Sequence, residues 1–137
     1  MVRTSGGSPL PYVLIEHNDL ERRHALMEHF LARGFNAISC GGPRVLPDAV
    51  CSLVVDGQCP LVAVADVILY DLDLDDDVEK AVYNAIRATY PMLPLVLELP
   101  LATTSRHRED LVGAIVIPPF DTDHLVDVVD DALNRVA

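Results

Sequence analysis

The chain has 137 residues, half of them hydrophobic, which is one domain's worth of apolar mass for a two-sided core and too little for two domains. Its 21 acidic residues against 10 basic ones leave a net charge of −11, a field that repels nucleic acid phosphates and anionic lipid. No apolar tract is long enough to span a bilayer, so the expectation is a cytoplasmic protein that needs neither membrane nor nucleic acid.

Residues 1–11 are small, polar and rich in Pro and Gly, and are expected to form a flexible tail ahead of one domain over 12–137. Tyr12 to Glu16 reads as the first strand. Asp19 then caps a helix to about Arg33, with Leu20, Met27, Phe30 and Leu31 inward and Gly34 as its stop. Phe35 to Cys40 is a second, weaker strand suited to an edge.

Residues 41–64 are broken by Gly41-Gly42-Pro43, Pro47, Asp56-Gly57 and Pro60, which predicts a long loop with one or two short helical turns and Pro60 at a first helical position. The segment carries Cys51 and Cys59. Together with Cys40 they make an odd number without zinc-site spacing, so small buried hydrophobes is the simplest reading, with a Cys51/Cys59 disulfide or thiol switch as the alternative.

Val67 to Asp71 is the most apolar strand and ends on a carboxylate. The acids Asp73, Asp75, Asp76, Asp77 and Glu79 then open a helix to about Tyr90, where they complement its dipole, and Val78, Val82, Ala85 and Ile86 form its apolar stripe. Pro94 to Leu99 is the fourth strand, Thr103 to Leu111 a short polar helix and Ala114 to Ile117 the fifth strand. The last helix follows Asp121 as cap, with Leu125, Val128, Val129, Ala132, Leu133 and Val136 at helical spacing.

Strands alternating with helices argue for an α/β fold with a parallel sheet. In such sheets, ligands and chemistry collect at the carboxyl ends of the strands, and Asp71 is placed there.

Three segments carry a resemblance that spans residues 12–136. Val-Leu-Ile-Glu-His-Asn at 13–18 looks like a first strand with its acidic pair. Ala-Asp-Val-Ile-Leu-Tyr-Asp-Leu-Asp at 65–73 looks like a phosphoacceptor strand, and Pro119-Phe120 looks like the end of a lysine-proline-phenylalanine motif. In this order and spacing they resemble the receiver domains of bacterial response regulators, of the chemotaxis-regulator type.

The resemblance implies a flavodoxin-like doubly wound (βα)5 fold with strand order 2-1-3-4-5, and it makes Asp71 the residue that would take a phosphoryl group from a histidine kinase. It also implies a divalent cation, Mg²⁺, held by an acidic pair, the phosphoacceptor and the backbone two residues beyond, which here fall on Glu16, His17, Asp71 and Asp73. An imidazole is a poor ligand for a hard cation, so His17 lowers the expected Mg²⁺ affinity.

The family's lysine is replaced by Pro118 and its hydroxyl residue by Leu99, although Thr103 and Thr104 follow. Lys80 is the only lysine and lies on the third helix. A pocket of Glu16, Asp71 and Asp73 without a cation would carry a carboxylate of raised pKa, with His17 as a partial cation to relieve it. Arg106 and Arg44 are the arginines that a rearrangement could bring in.

The sequence therefore predicts a degenerate or pseudo-receiver, not an enzyme, acting as a stand-alone phosphorelay-type signalling domain through protein contacts. Its partner would be a histidine kinase, a downstream regulator or a second copy, on a surface holding Arg106, Arg108, Asp121 and Asp127. A conventional response regulator, phosphorylated on Asp71 with Mg²⁺, is the alternative. A small-ligand binder is the lesser one, because the loop His17-Asn18-Asp19 lacks phosphate-cradling glycines. His24, His29, His107 and His124 read as helix-surface residues.

Overall fold

Residues Val67 to Tyr70 are wholly buried, as expected for a central strand of a parallel sheet covered on both faces. The structure, a computed structural model, describes residues 10–45, 51–119 and 122–136. In it β3 (Val67–Asp71) lies between β1 (Tyr12–His17) and β4 (Leu95–Glu98), with β2 (Asn36–Cys40) and β5 (Ile115–Ile117) at the edges. All pairings are parallel and the order is β2-β1-β3-β4-β5, the doubly wound arrangement the sequence predicts.

Successive strand residues face opposite ways, so the sheet separates two cores. Val13, Ile15, Val67, Leu69 and Val96 pack against Leu26 and Phe30 of α1 (Leu20–Ala32) and Leu125, Val129 and Ala132 of α6 (Thr122–Val136). Leu14, Ile68, Tyr70, Leu95 and Leu97 pack against Leu53 of α2 (Ser52–Asp56), Val62 of α3 (Pro60–Val64) and Val82, Tyr83 and Ile86 of α4 (Asp77–Thr89).

Asp19 caps α1, accepting from the amides of Glu21 and Arg22. At its far end Gly34, at φ +91°, lets the amides of Gly34 and Phe35 reach the carbonyls of Leu31 and Phe30. That phase turns Leu26 and Phe30 inward and leaves Leu20 and Leu31 half exposed, which corrects the expected stripe.

In the broken segment Pro60 does begin α3, and Gly57 ends α2 in the left-handed conformation. Pro47 lies outside the described residues, as do Phe120 and the expected cap Asp121. The helix expected over 103–111 is instead α5 (Leu101–Arg106), opened by Pro100. Arg108 therefore sits in the turns that follow, which the Tyr83 hydroxyl fastens by donating to the Asp110 carbonyl at 2.8 Å. Among the described residues no helix is long and apolar enough to cross a membrane.

Candidate functional site

Strand alternation divides the acids at the carboxyl edge of the sheet into two groups. His17 is the register partner of Asp71, and continuing the β3–β4 register sets Glu98 beside Asp71 on its other flank. These side chains take the α1/α6 face. Glu16, one residue earlier, takes the opposite face.

On the α1/α6 face, burial and the neighbouring Glu98 carboxylate push the Asp71 carboxyl up to about 7, against a backbone hydrogen bond from Glu98 and the charge of Arg22. Arg22 reaches 4.0 Å from Glu98 and donates to the Thr122 hydroxyl at 3.4 Å, so α1 and α6 deliver one cation to two carboxyls. His17 Nδ1 accepts the Asp19 amide at 3.0 Å, which assigns its proton to Nε2, and burial holds its pKa below the usual value. The expected partial cation is thus a neutral imidazole, and the positive charge near Asp71 comes from Arg22.

On the other face Glu16 is 2 % exposed, and burial raises its carboxyl to about 7 despite a hydrogen bond with the Cys40 thiol. Its Oε2 has no hydrogen-bond partner. Nearby, Glu79 of α4 is 1 % exposed, and its Oε1 accepts the Asp73 amide at 2.9 Å and the Asn18 side-chain amide at 3.2 Å. Glu79 thereby ties the loop after β3 to the loop after β1, while Tyr70 donates its hydroxyl to the Glu79 carbonyl.

The remaining candidates lie apart from Asp71. Leu99 packs into the core on the Glu16 face, and Pro118 is exposed at the end of β5. Thr104 donates its hydroxyl to the Pro100 carbonyl and Thr103 accepts from Arg106, so neither takes the place of a switch hydroxyl. Arg106 pairs with Asp75 at 2.8 Å, Arg44 with Asp76 at 3.0 Å and Lys80 with Asp110 at 3.0 Å. His107, expected on a helix surface, is enclosed between Asp75 at 2.7 Å and Asp110 at 3.4 Å.

Sequence reasoning missed Arg22, Glu98 and Glu79. Glu98 was visible as the single acid in an apolar strand. Glu79 was visible as the fourth residue of Asp76-x-x-Glu79, a capping-box spacing in which Asp76 does cap α4.

These positions test the implied cation. Glu16 and Asp71 face opposite ways, the Asp73 carbonyl accepts the Asp76 amide at 3.1 Å, and the Asp73 amide is spent on Glu79. Among the described residues no three His, Cys, Asp or Glu side chains gather to hold a metal ion. The expected Glu16, Asp71 and Asp73 set does not converge and does not fit Mg²⁺: the two-residue period puts Glu16 on the face opposite Asp71, and Asp73 lies exposed in the loop beyond β3.

No family model and no curated protein sequence matches the chain. Solved structures do. The receiver domain of a Francisella response regulator shares 18 % identity at a TM-score of 0.67, covering 93 % of this chain and 99 % of that one. The apo receiver domain of nitrogen regulatory protein C shares 22 % identity at 0.67, covering 91 % and 95 %. A structure described as a transiently phosphorylated switch in bacterial signal transduction shares 19 % at 0.62, covering 93 % and 97 %. With its sheet order, its paired helical layers and Asp71 at the tip of β3, the chain has the fold of a response regulator receiver domain.

Proposed function

We propose that this chain is a receiver-like signalling domain that acts by binding a protein partner, without phosphoryl transfer to Asp71 and so not as an enzyme. The observation that carries the reading is the content of the Asp71 pocket among the described residues: two carboxyls, a neutral imidazole and one arginine already shared with Glu98 and Thr122. A phosphorylated carboxylate needs surplus positive charge and fixed donors to stabilise its oxygens, and this pocket is short of both. Burial and the Glu98 charge raise the Asp71 carboxyl to about 7, so it holds its proton far more readily than an ordinary aspartate, which weakens it as a nucleophile.

The surface offered to a histidine kinase or a downstream regulator is built from α5, β5 and α6, where Arg106, Arg108 and Asp127 are exposed; Asp121 falls outside the described residues. A cytoplasmic setting goes with that role. Incubating the purified chain with acetyl phosphate and Mg²⁺ and weighing it tests the reading. An unchanged mass is expected, and a phosphoryl adduct that Asp71→Asn removes would overturn it. Such an adduct would favour the second reading, a conventional phosphoacceptor in which Arg22 stands in for the missing lysine, and Arg22→Ala should then abolish it.

A further inference from the structure

A second polar cluster, outside the Asp71 pocket, joins the β3–α4 loop to α4, α5 and the turns that follow, with His107 at its centre. The His107 side chain is 11 % exposed, and a carboxylate stands at each ring nitrogen: Nε2 lies 2.7 Å from Asp75 Oδ1 and Nδ1 lies 3.4 Å from Asp110 Oδ2. Each carboxylate also has a cation of its own. Arg106 of α5 takes the other oxygen of Asp75 at 2.8 Å, and Lys80 of α4 takes Asp110 Oδ2 at 3.0 Å. The Tyr83 hydroxyl of α4 donates to the Asp110 carbonyl, which fixes the turn beneath the ring.

An ionised carboxylate only accepts hydrogen bonds, and a neutral imidazole carries one N–H. A neutral His107 therefore donates to one of its two aspartates and turns a lone pair toward the other, whereas the imidazolium donates to both. Arg106 and then His107 hold the Asp75 carboxyl below the usual range, and Lys80 and then His107 do the same for Asp110, so both acceptors stay ionised while the ring changes charge. Arg106 and Lys80 already balance the two carboxylates, so the second ring proton makes a charge-assisted bond instead of neutralising a surplus. Asp110 keeps Lys80 when that bond is lost, so it can part from the ring without leaving its charge unpaired.

We propose that His107 is a pH-operated clasp: protonated at both nitrogens it ties Asp75 of the β3–α4 loop to Asp110 of the turn after α5, and on losing one proton it releases Asp110. Its ordering of these segments is present at low pH and lost as the pH rises through the histidine range. The clasp is independent of any partner at α5 and of the chemistry at Asp71.

Nuclear magnetic resonance on the full chain between about pH 5 and about pH 8, which brackets the ordinary histidine range, tests it. The side-chain carboxyl signals of Asp75 and Asp110 should both move in step with the His107 ring nitrogens. The amides of Asp76 and Leu111 bond to the Asp73 and His107 carbonyls within the clasped segments. Their protection from hydrogen exchange, corrected for the intrinsic rate, should fall about tenfold across that range. His107→Gln keeps a donor where Nε2 stands and has none at Nδ1, so its protection should sit at the high-pH wild-type level throughout, with native circular dichroism. A response at Asp75 alone, constant protection in the wild type, or the same fall in His107→Gln would overturn the proposal. The last result would assign the pH response to Glu16 and Asp71.

Discussion

Asp71 and Glu16 stand one register step apart on neighbouring strands, and both are pushed up to about 7, yet they live in different surroundings. Asp71 is half-buried, with a second carboxyl and a cation within reach. Glu16 is sealed in, bonded to one thiol, with the Glu79 carboxylate and the Arg23 charge acting on it more weakly, and has an oxygen with nothing to bond. Desolvation is the largest cause on both faces; it is followed by the Glu98 charge at Asp71, and it outweighs a thiol hydrogen bond at the more deeply buried Glu16. A sheet whose period is two residues keeps these environments separate, which is why Glu16 and Asp71, at neighbouring strand ends, do not share one cation site.

The largest test of that separation is the pH dependence of stability. Each carboxyl has a folded pKa above its unfolded one, so its stabilising effect is full below about pH 4 and is lost as the pH rises to about 7. The loss is on the order of 3 kcal/mol for Glu16, and partial exposure trims the share of Asp71. Urea unfolding between pH 5 and pH 8 should show wild-type stability falling by several kcal/mol. Glu16→Gln and Asp71→Asn should each remove part of the slope and the double variant nearly all of it. A wild-type curve that stays flat would mean that neither acid is buried as described.

Glu79→Ala comes next. It removes the shared acceptor of two part-buried hydrogen bonds, from the Asp73 amide and the Asn18 side chain, a loss of about 2 kcal/mol by urea melting. Glu79→Gln keeps an acceptor for the Asp73 amide and should cost about 1 kcal/mol. Equal losses for the two variants would show that packing, rather than the tie between the loops, sets the value of this residue.

Most of the sheet was legible from the sequence because β1, β3, β4 and β5 are written around apolar runs, and the broken segment because Pro60 suits a helix start and Gly57 a left-handed stop. The site was half legible. Asp71 at a strand tip was visible, since the period that buries Val67 to Tyr70 also ends there. Which face each acid takes depends on register between strands, which one sequence does not encode locally, so Glu16 and Asp71 were merged and Glu98 was overlooked. Arg22 was hidden for a similar reason: its role is set by how α1 and α6 converge over the strand ends, a contact between residues 100 positions apart. His107 looked like a surface residue until the chain beyond Arg106 left the helix and enclosed it between two aspartates.

Arg22→Ala probes one face alone. Losing the cation should move the Asp71 titration above about 7, read from carboxyl chemical shifts, and leave that of Glu16 in place. The stability cost should be small, about 0.5 kcal/mol, because the Arg22 to Glu98 pair is long and partly exposed. A shift of both midpoints together would mean that the sheet does not insulate the two groups.

The smallest expected effect is at the loop between them. Asp75 is exposed, and Arg106 first and then His107 hold its carboxyl below the usual range, tying the β3–α4 loop to α5 and the turn after it. Asp75→Asn should leave the urea midpoint essentially unchanged and speed hydrogen exchange of the amides at 73–76, because exposed ion pairs order side chains without contributing much stability. High salt should loosen the wild-type loop in the same direction, since these charges are screened and those of Glu16 and Asp71 are not. If Asp75→Asn instead shifted the Asp71 titration, the loop would be transmitting charge between α5 and the site. The α5 surface and the Asp71 pocket would then be one coupled unit instead of two neighbours.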